Sequence, residues 1–335
     1  MRLAIPRETH PGENRASVTP ETVKKLVRLG ADLAIEAGAG AGAGFSDEAY
    51  AAEGASVVTD RDALLGSADM VLRLRKPELE EVAKLKAGCI HVSYLDPFNE
   101  HELIREFAAK SITAVSMEMI PRSTRSQKMD ALSSQANLAG YMAVMLAATR
   151  LPRIFPMMMT PAGTLKPSKV FIIGAGVAGL QAIATAKRLG ARVTAFDTRP
   201  VVAEQVQSLG GKFLEIDLGD TGQTADGYAR ELTPEQVEIQ RQAQKAVIAD
   251  SDVVITTAQV FGRKPPVLVT ADMVAGMAPG SVVVDMAAET GGNVEGSVPD
   301  EVVDVGGVTI VGTGNLANLV ARDATQMYAS NMFNL

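Results

Sequence analysis

The 335-residue sequence predicts an α/β protein built from two parallel-sheet domains. Short apolar runs alternate with amphipathic segments along the whole chain, the pattern of strands joined by crossover helices. This alternation passes through two cycles, separated by a long apolar segment at residues 133–149. The length agrees, at about 150 residues for each domain.

In the first cycle the strand-like runs are LAIP (3–6), DLAIEAG (32–38), MVLRLR (70–75), IHVSYL (90–95) and ITAVSM (112–117). Between them, TPETVKKLVRLG and NEHELIREFAAK read as helices, and Thr19 and Pro20 suit the N-cap and first helical position of the former. The second cycle runs through KVFIIGAG (169–176), RVTAFD, KFLEID, DVVITTA and SVVVDMA. The continuous apolar run VFII predicts a strand buried on both faces. SSQANLAGYMAVMLAAT (133–149), apolar on most sides and free of proline, predicts a long helix joining the domains, with a cleft beside it. After GGVTIVGT (306–313), the pattern LANLVARDATQMYASNMF predicts a last helix returning to the first domain. The expected division is therefore 1–133 plus 314–335 for a discontinuous first domain, and 134–313 for the second.

Composition narrows the function. Hydrophobic residues make up 47% and charged residues 21%, which is globular. Aromatics reach only 4%, with no Trp, whereas glycines number 30, which argues against base stacking and toward an α/β nucleotide enzyme. A net charge of -7 provides no basic field for nucleic acid or an anionic membrane. The one cysteine, Cys89, cannot form an intrachain disulfide, so a reduced cytoplasmic setting is expected. The N-terminal apolar stretch is too short for a signal peptide, and residues 138–149 fall short of the ~20 needed to span a bilayer. No direct membrane insertion is expected. His10, His91 and His101 lack metal-ligand spacing, so no metal is expected; His91 should pack within its strand and the others lie exposed. Neither a G-x-S-x-G elbow nor a Walker A sequence is present.

The strongest local motif is Gly174-Ala175-Gly176-Val177-Ala178-Gly179, which follows a buried strand and opens a helix. The first glycine permits a tight turn, the second lets the backbone approach a pyrophosphate, and the third lets helix pack on strand. Phosphates would then meet the positive end of the helix. Eighteen residues after Gly179, Asp197 closes the next strand, placed to accept hydrogen bonds from the adenosine ribose and to repel a 2′-phosphate. This favours NAD over NADP. Arg199 pulls the other way, because an arginine just past that acid can bind a 2′-phosphate; it can equally lie on adenine or face solvent. With strand, turn, helix and distal acid in place, the fold class becomes two Rossmann-like parallel-sheet domains joined by long helices.

Two loops add candidates. Residues 121–135 follow the run ITAVSM and carry Arg122, Arg125, Gln127, Asp130, Ser133 and Ser134. Loops leaving the C-terminal ends of parallel strands line ligand crevices, so this reads as a polar lip; the plainer reading is a solvated loop capped by Ser133 or Ser134. Residues 217–234, rich in Gly, Thr and Asp around Tyr228, read either as a mobile lid or as a surface insertion.

Taken together, IPRETHPGENRASVTPETV, PRSTRSQKMDALSSQANLAGY, FPMMMTPAGT, GAGVAGLQAIATAKRLGA, LGGKF, DGYAREL and KPPVLVTADMV resemble the NAD(H)-binding domain I, or alpha 1 subunit, of proton-translocating, Re/Si-specific NAD(P) transhydrogenases. The resemblance covers essentially the whole chain. Alanine dehydrogenases share the fold and some motifs, but not PRSTRSQKMDALSSQ or the tyrosine loop. The resemblance implies NAD(H) bound here, NADP(H) on a partner domain III, and coupling to protons through a membrane domain II. It implies a homodimer held peripherally on the inner face of the cell membrane by partner subunits. It assigns Arg122, Gln127 and Asp130 to the reaction site, with Ser123 and Ser133 beside the nicotinamide and Gln127 reaching toward the partner nucleotide. It also gives Ala175, Gly176 and Val177 to the pyrophosphate, Asp197, Thr198 and Arg199 to the adenosine, Tyr228 to a loop over the nucleotide, and Gln259 to the cofactor's surroundings.

The same resemblance shows what differs from an alanine dehydrogenase. The dehydrogenase's histidine, lysine and aspartate correspond to Asp96, Arg75 and Glu289, whereas Arg15, its substrate-carboxylate ligand, is kept. Hydride transfer between two nicotinamides needs no general acid or base, only ring placement and exclusion of water. A non-catalytic nucleotide sensor is the third reading.

Overall fold

The structure is a computed structural model that describes residues 1–219, 221–222, 230–259 and 261–335. It separates into two compact units, Met1–Gln135 with Ala317–Leu335, and Ala136–Leu316.

The first unit contains β1 (Arg2–Ile5), α1 (Pro20–Arg28), β2 (Asp32–Glu36), α2 (Asp47–Ala52), β3 (Ser56–Val58), α3 (Arg61–Ser67), β4 (Met70–Leu72), α4 (Leu79–Lys84), β5 (Ile90–Ser93), α5 (His101–Ala109) and β6 (Thr113–Ser116). Its sheet has the order β3-β2-β1-β4-β5-β6, parallel throughout. Strand order reverses between β1 and β4, so loops at the C-terminal strand ends diverge there. Leu3, Ile5, Leu33 and Ile35 are buried, each worth about 1.5–3 kcal/mol of transfer free energy. Helix α1 begins where the sequence predicts. Thr19 accepts the Thr22 N–H at 3.2 Å and Pro20 opens the helix. The edge strand β3 has no counterpart among the apolar runs, because its side chains are largely exposed.

Helix α6 (Ala131–Arg150) begins in the first unit, and the division falls within it, after Gln135. The second unit continues with β7 (Met158–Thr160) and β8 (Gly163–Leu165), an antiparallel hairpin that the apolar runs do not predict. Then come β9 (Lys169–Ile173), α7 (Val177–Arg188), β10 (Arg192–Phe196), α8 (Ala203–Ser208), β11 (Lys212–Phe213), α9 (Pro234–Ala249), β12 (Val253–Thr256), α10 (Ala271–Ala275), β13 (Val282–Asp285), β14 (Val302–Val305) and β15 (Val308–Val311). The sheet order is β11-β10-β9-β12-β13-β15-β14, parallel except for β14. Val170, Phe171, Ile172 and Ile173 of the central strand are all buried, as their unbroken apolar run predicts. The closing helix α11 (Ala321–Asn334) belongs to the first unit. Tyr328 donates its hydroxyl to the Arg73 carbonyl at 3.0 Å, and Asn331 donates its amide to the Lys128 carbonyl at 2.9 Å.

Candidate functional site

In the second unit, the glycine-rich turn sits where strand order reverses between β9 and β12. Gly174 has φ +100°, a left-handed conformation that other residues resist. At Gly179 a Cβ would lie 1.9 Å from the Gly174 carbonyl oxygen, so only glycine lets α7 pack this close to the turn. Gly176, the N-cap of α7, is different: a Cβ there would meet nothing within 4 Å. No side chain caps the first turn. Open space before uncapped N–H groups suits an anionic pyrophosphate, and Ala175 and Val177 flank it.

Asp197 ends the next strand and reaches back to this turn. Its Oδ2 accepts the Ala175 N–H at 2.7 Å, while Oδ1 accepts the Arg199 backbone N–H at 2.9 Å. The Arg199 side chain then closes on the same carboxylate, Nε to Oδ1 at 2.9 Å and Nη2 to Oδ2 at 3.0 Å. Arg199 is accordingly shifted further above its ordinary range, by the hydrogen bond with Asp197 more than by any other influence. Thr198 accepts the Thr221 hydroxyl on its carbonyl at 2.8 Å. Tyr228 lies outside the described residues.

Residues that the sequence did not single out brace this end of the sheet. Thr257 donates to the Gly174 carbonyl at 3.1 Å and seals the turn from below. Gln259 is anchored by its amide to the Met286 carbonyl at 2.8 Å. The fully buried Asp285 accepts backbone N–H groups from Ala287 at 3.0 Å, Asn293 at 3.0 Å and Val294 at 3.2 Å. A buried carboxylate held by backbone donors fixes the loop that carries Met286. Its signal was present in VVVD, an acid ending an apolar strand just as in AFD.

In the first unit, the loop between β6 and α6 gathers four of the candidates. Asp130 accepts the Ser133 N–H at 2.9 Å and the Ser133 hydroxyl at 2.6 Å. Arg122 donates to the Ser133 hydroxyl oxygen at 3.0 Å and lies 3.5 Å from the Asp130 carboxylate. Ser123 pairs with Ser126 at 3.0 Å. Gln127 starts a one-turn 3-10 helix, with its side chain exposed. Capping of α6 by Ser133 or Ser134 is corrected here: Asp130 caps it and the helix starts at Ala131, because a carboxylate three residues upstream reaches the orphan N–H.

Nearby in the same unit, Arg15 is committed internally. It forms a two-pronged pair with Glu13, both contacts at 2.7 Å, and donates to Gln135 at 2.8 Å. Arg75 donates to the same Glu13 at 2.9 Å. Burial would raise the Glu13 carboxyl, but the hydrogen bonds and charges of Arg15 and Arg75 prevail and hold it at about 2. Asp96 accepts the Asn99 amide at 2.9 Å in a local turn. His91 is buried in β5, as expected, and His10 and His101 are exposed. Burial first, then the Arg73 charge, pull the His91 imidazole down to about 3, so it stays neutral. Among the described residues, no three His, Cys, Asp or Glu side chains are placed to hold a metal ion, and no helix is long and apolar enough to cross a membrane.

Fold and site define a doubly wound α/β chain with a glycine-rich turn and a strand-end acid, the Rossmann-like class. Family models described as "Alanine dehydrogenase/PNT" match residues 4–139 (N-terminal domain) and 143–335 (C-terminal domain). The chain belongs to the alanine dehydrogenase/PNT family. It is 46% identical over 341 aligned residues to the first of the two pieces that make up the NAD(P) transhydrogenase subunit alpha of Rhodospirillum rubrum, covering 100% of this chain and 89% of that one. To "NAD(P) transhydrogenase subunit alpha" of Cereibacter sphaeroides it is 45% identical, covering 99% of this chain but 64% of the longer relative. The alanine dehydrogenase of Halomonas elongata is 31% identical over 97% of this chain and 84% of its own. Among solved structures, the transhydrogenase from Sinorhizobium meliloti superimposes with TM-score 0.89 at 44% identity, covering 99% of this chain and 92% of that chain.

Proposed function

We propose that the chain is the NAD(H)-binding component of a proton-translocating NAD(P) transhydrogenase. The observation that carries this reading is the knot of Arg122, Asp130 and Ser133 beside an exposed Gln127, in a chain 46% identical throughout to a transhydrogenase alpha subunit. The knot offers hydrogen bonds and fixed geometry, and its acid is tied to an arginine and a helix N-terminus. Such a site orients a ring; it does not shuttle protons.

The residues fit the dinucleotide. The open space at Gly176 and the uncapped start of α7 accommodate the pyrophosphate, while Asp197 accepts from the adenosine ribose. Arg122, Ser123, Gln127, Asp130 and Ser133 hold and orient the nicotinamide, and Gln259 and Tyr228 complete its surroundings. When bound, NAD(H) supplies or accepts a hydride. The partner nucleotide, NADP(H), is carried by a domain III, and a membrane domain II couples the exchange to protons. This places the chain on the inner face of the cell membrane through those partners. At the positions of the dehydrogenase's acid and base stand Asp96, held in its turn, and Arg75, paired with Glu13.

A homodimer completes the proposal. The β7–β8 hairpin leaves Met157, Met158, Met159 and Leu165 between 45% and 73% exposed, and a two-stranded hairpin is marginal in water without cover. Sedimentation of the chain and of Met159→Glu tests this: a dimer that the substitution dissociates is the expected result.

Mixing the chain with NADH and a cognate domain III carrying an oxidised NADP analogue tests the activity. Hydride transfer in the mixture, with no turnover by the chain alone, is expected. Robust oxidation of NADH by the chain alone with pyruvate and ammonia would instead establish an alanine dehydrogenase.

A further inference from the structure

Asp197 and Arg199 form a closed unit at the end of β10. Each carboxylate oxygen takes two donors, one from the backbone and one from the guanidinium. The pair is well shielded, with side chains 7% and 14% exposed. Beside it lies a cavity of about 210 Å³ lined by Arg199, Pro200, Val201, Thr221 and Gly222. A second guanidinium stands at its rim, since a Cβ on Gly222 would lie 3.6 Å from Cζ of Arg230, whose N–H also bonds the Gly222 carbonyl at 3.0 Å. The cavity thus has two arginines and one carboxylate around it. A planar guanidinium fork is the preferred partner of a phosphate, and it is here turned onto the acid instead.

We propose that Arg199 forms a latent phosphomonoester site beside this cavity, which Asp197 holds shut and which opens to a 2′-phosphorylated adenosine when the carboxylate charge is removed. The proposal rests on the NAD(H) reading, which places the adenosine ribose at this strand end. In the wild-type protein a 2′-phosphate meets two obstacles. It must displace Asp197 from Arg199, and it approaches a buried like charge. The second acts at any salt concentration because a buried charge is poorly screened. Asp197→Asn removes both. The amide oxygen can still accept the Ala175 N–H, so the turn keeps its tie, while the bidentate charge pair with Arg199 is lost. Selectivity then depends on the engagement of the arginine by the acid, and not on the acid alone.

The test is titration of NADH and NADPH, by their own fluorescence, into the wild-type chain, Asp197→Asn, Asp197→Ser and the double variant Asp197→Asn with Arg199→Ala. Circular dichroism and thermal unfolding establish which variants fold; serine serves where asparagine does not. Expected are a wild-type preference for NADH and a gain in NADPH affinity of about tenfold or more in the single variant, the scale of a charge-assisted hydrogen bond. Removal of Arg199 and high salt should each erase that gain. A folded Asp197 variant with no gain, or a gain that survives the loss of Arg199, overturns the proposal and leaves the NAD(H) reading standing. A wild-type chain that binds neither nucleotide overturns both.

Discussion

Asp130 accepts both the backbone N–H of Ser133, at 2.9 Å, and its hydroxyl, at 2.6 Å. One side chain therefore starts α6 and orients a residue of the candidate site. Asp130→Ala should cost about 1 kcal/mol in urea unfolding, the usual loss for an N-cap. Because Ser133 and Arg122 lose a common partner, transfer to domain III should fall further, on the order of tenfold to a hundredfold. A fall in rate no larger than the stability change implies would make Asp130 structural only.

Gln127 projects from a one-turn helix with its side chain exposed. Shortening it by one methylene, as Gln127→Asn, should slow hydride transfer markedly while NADH affinity changes little, since its interaction is made at the transition-state geometry. Stopped-flow transfer and NADH titration separate the two effects. Equal losses in both would assign Gln127 to ground-state binding.

Two glycines of one motif should respond oppositely. Gly179→Ala places a methyl 1.9 Å from the Gly174 carbonyl oxygen, and forcing the backbone apart should cost at least about 1–3 kcal/mol in unfolding free energy. Gly176→Ala points into open space, so stability should stay within about 0.5 kcal/mol while NADH binding weakens. Thermal unfolding and NADH titration of both variants check this.

Glu13 pairs with Arg15 and Arg75, and its side chain is inaccessible. Its folded pKa of about 2 lies below the ordinary 4.5, so its contribution is fully present above about pH 4.5 and is lost as pH falls toward 2. Glu13→Gln should destabilise by about 3–5 kcal/mol at neutral pH, because two guanidinium groups lose their anion. The difference between wild type and variant in urea unfolding should shrink below pH 4.5. A difference independent of pH down to about 3 would show that charge is not its basis.

His91 has one ring nitrogen 3.1 Å from the Ser93 hydroxyl and the other buried without a partner. Its folded pKa of about 3 lies below the ordinary 6.5, so the stability of the neutral ring is present above pH 6.5 and lost as pH falls toward 3. Relative to His91→Leu, the wild type should lose about 1.4 kcal/mol per pH unit in that window. Parallel slopes for the two proteins in acid unfolding would refute this.

The sequence by itself determined what is written in local pattern. Buried parallel strands such as β9 and β12 are unbroken apolar runs, so they were legible; β3, β14 and the β7–β8 hairpin were not. β3 and the hairpin are largely exposed, and β14 alternates exposed with half-buried residues, so none shows such a run. The turn at Gly174, Gly176 and Gly179 was legible because steric demands on a backbone leave only one residue type. Tertiary structure alone decided which charges meet. Glu13 with Arg75 and Arg15 with Gln135 are pairings across 62 and 120 residues, and no spacing rule reaches that far. It also decided that Arg199 is turned onto Asp197: the sequence places them two residues apart, but only packing at the end of β10 sets whether the arginine faces a phosphate, an adenine, solvent or its neighbouring acid.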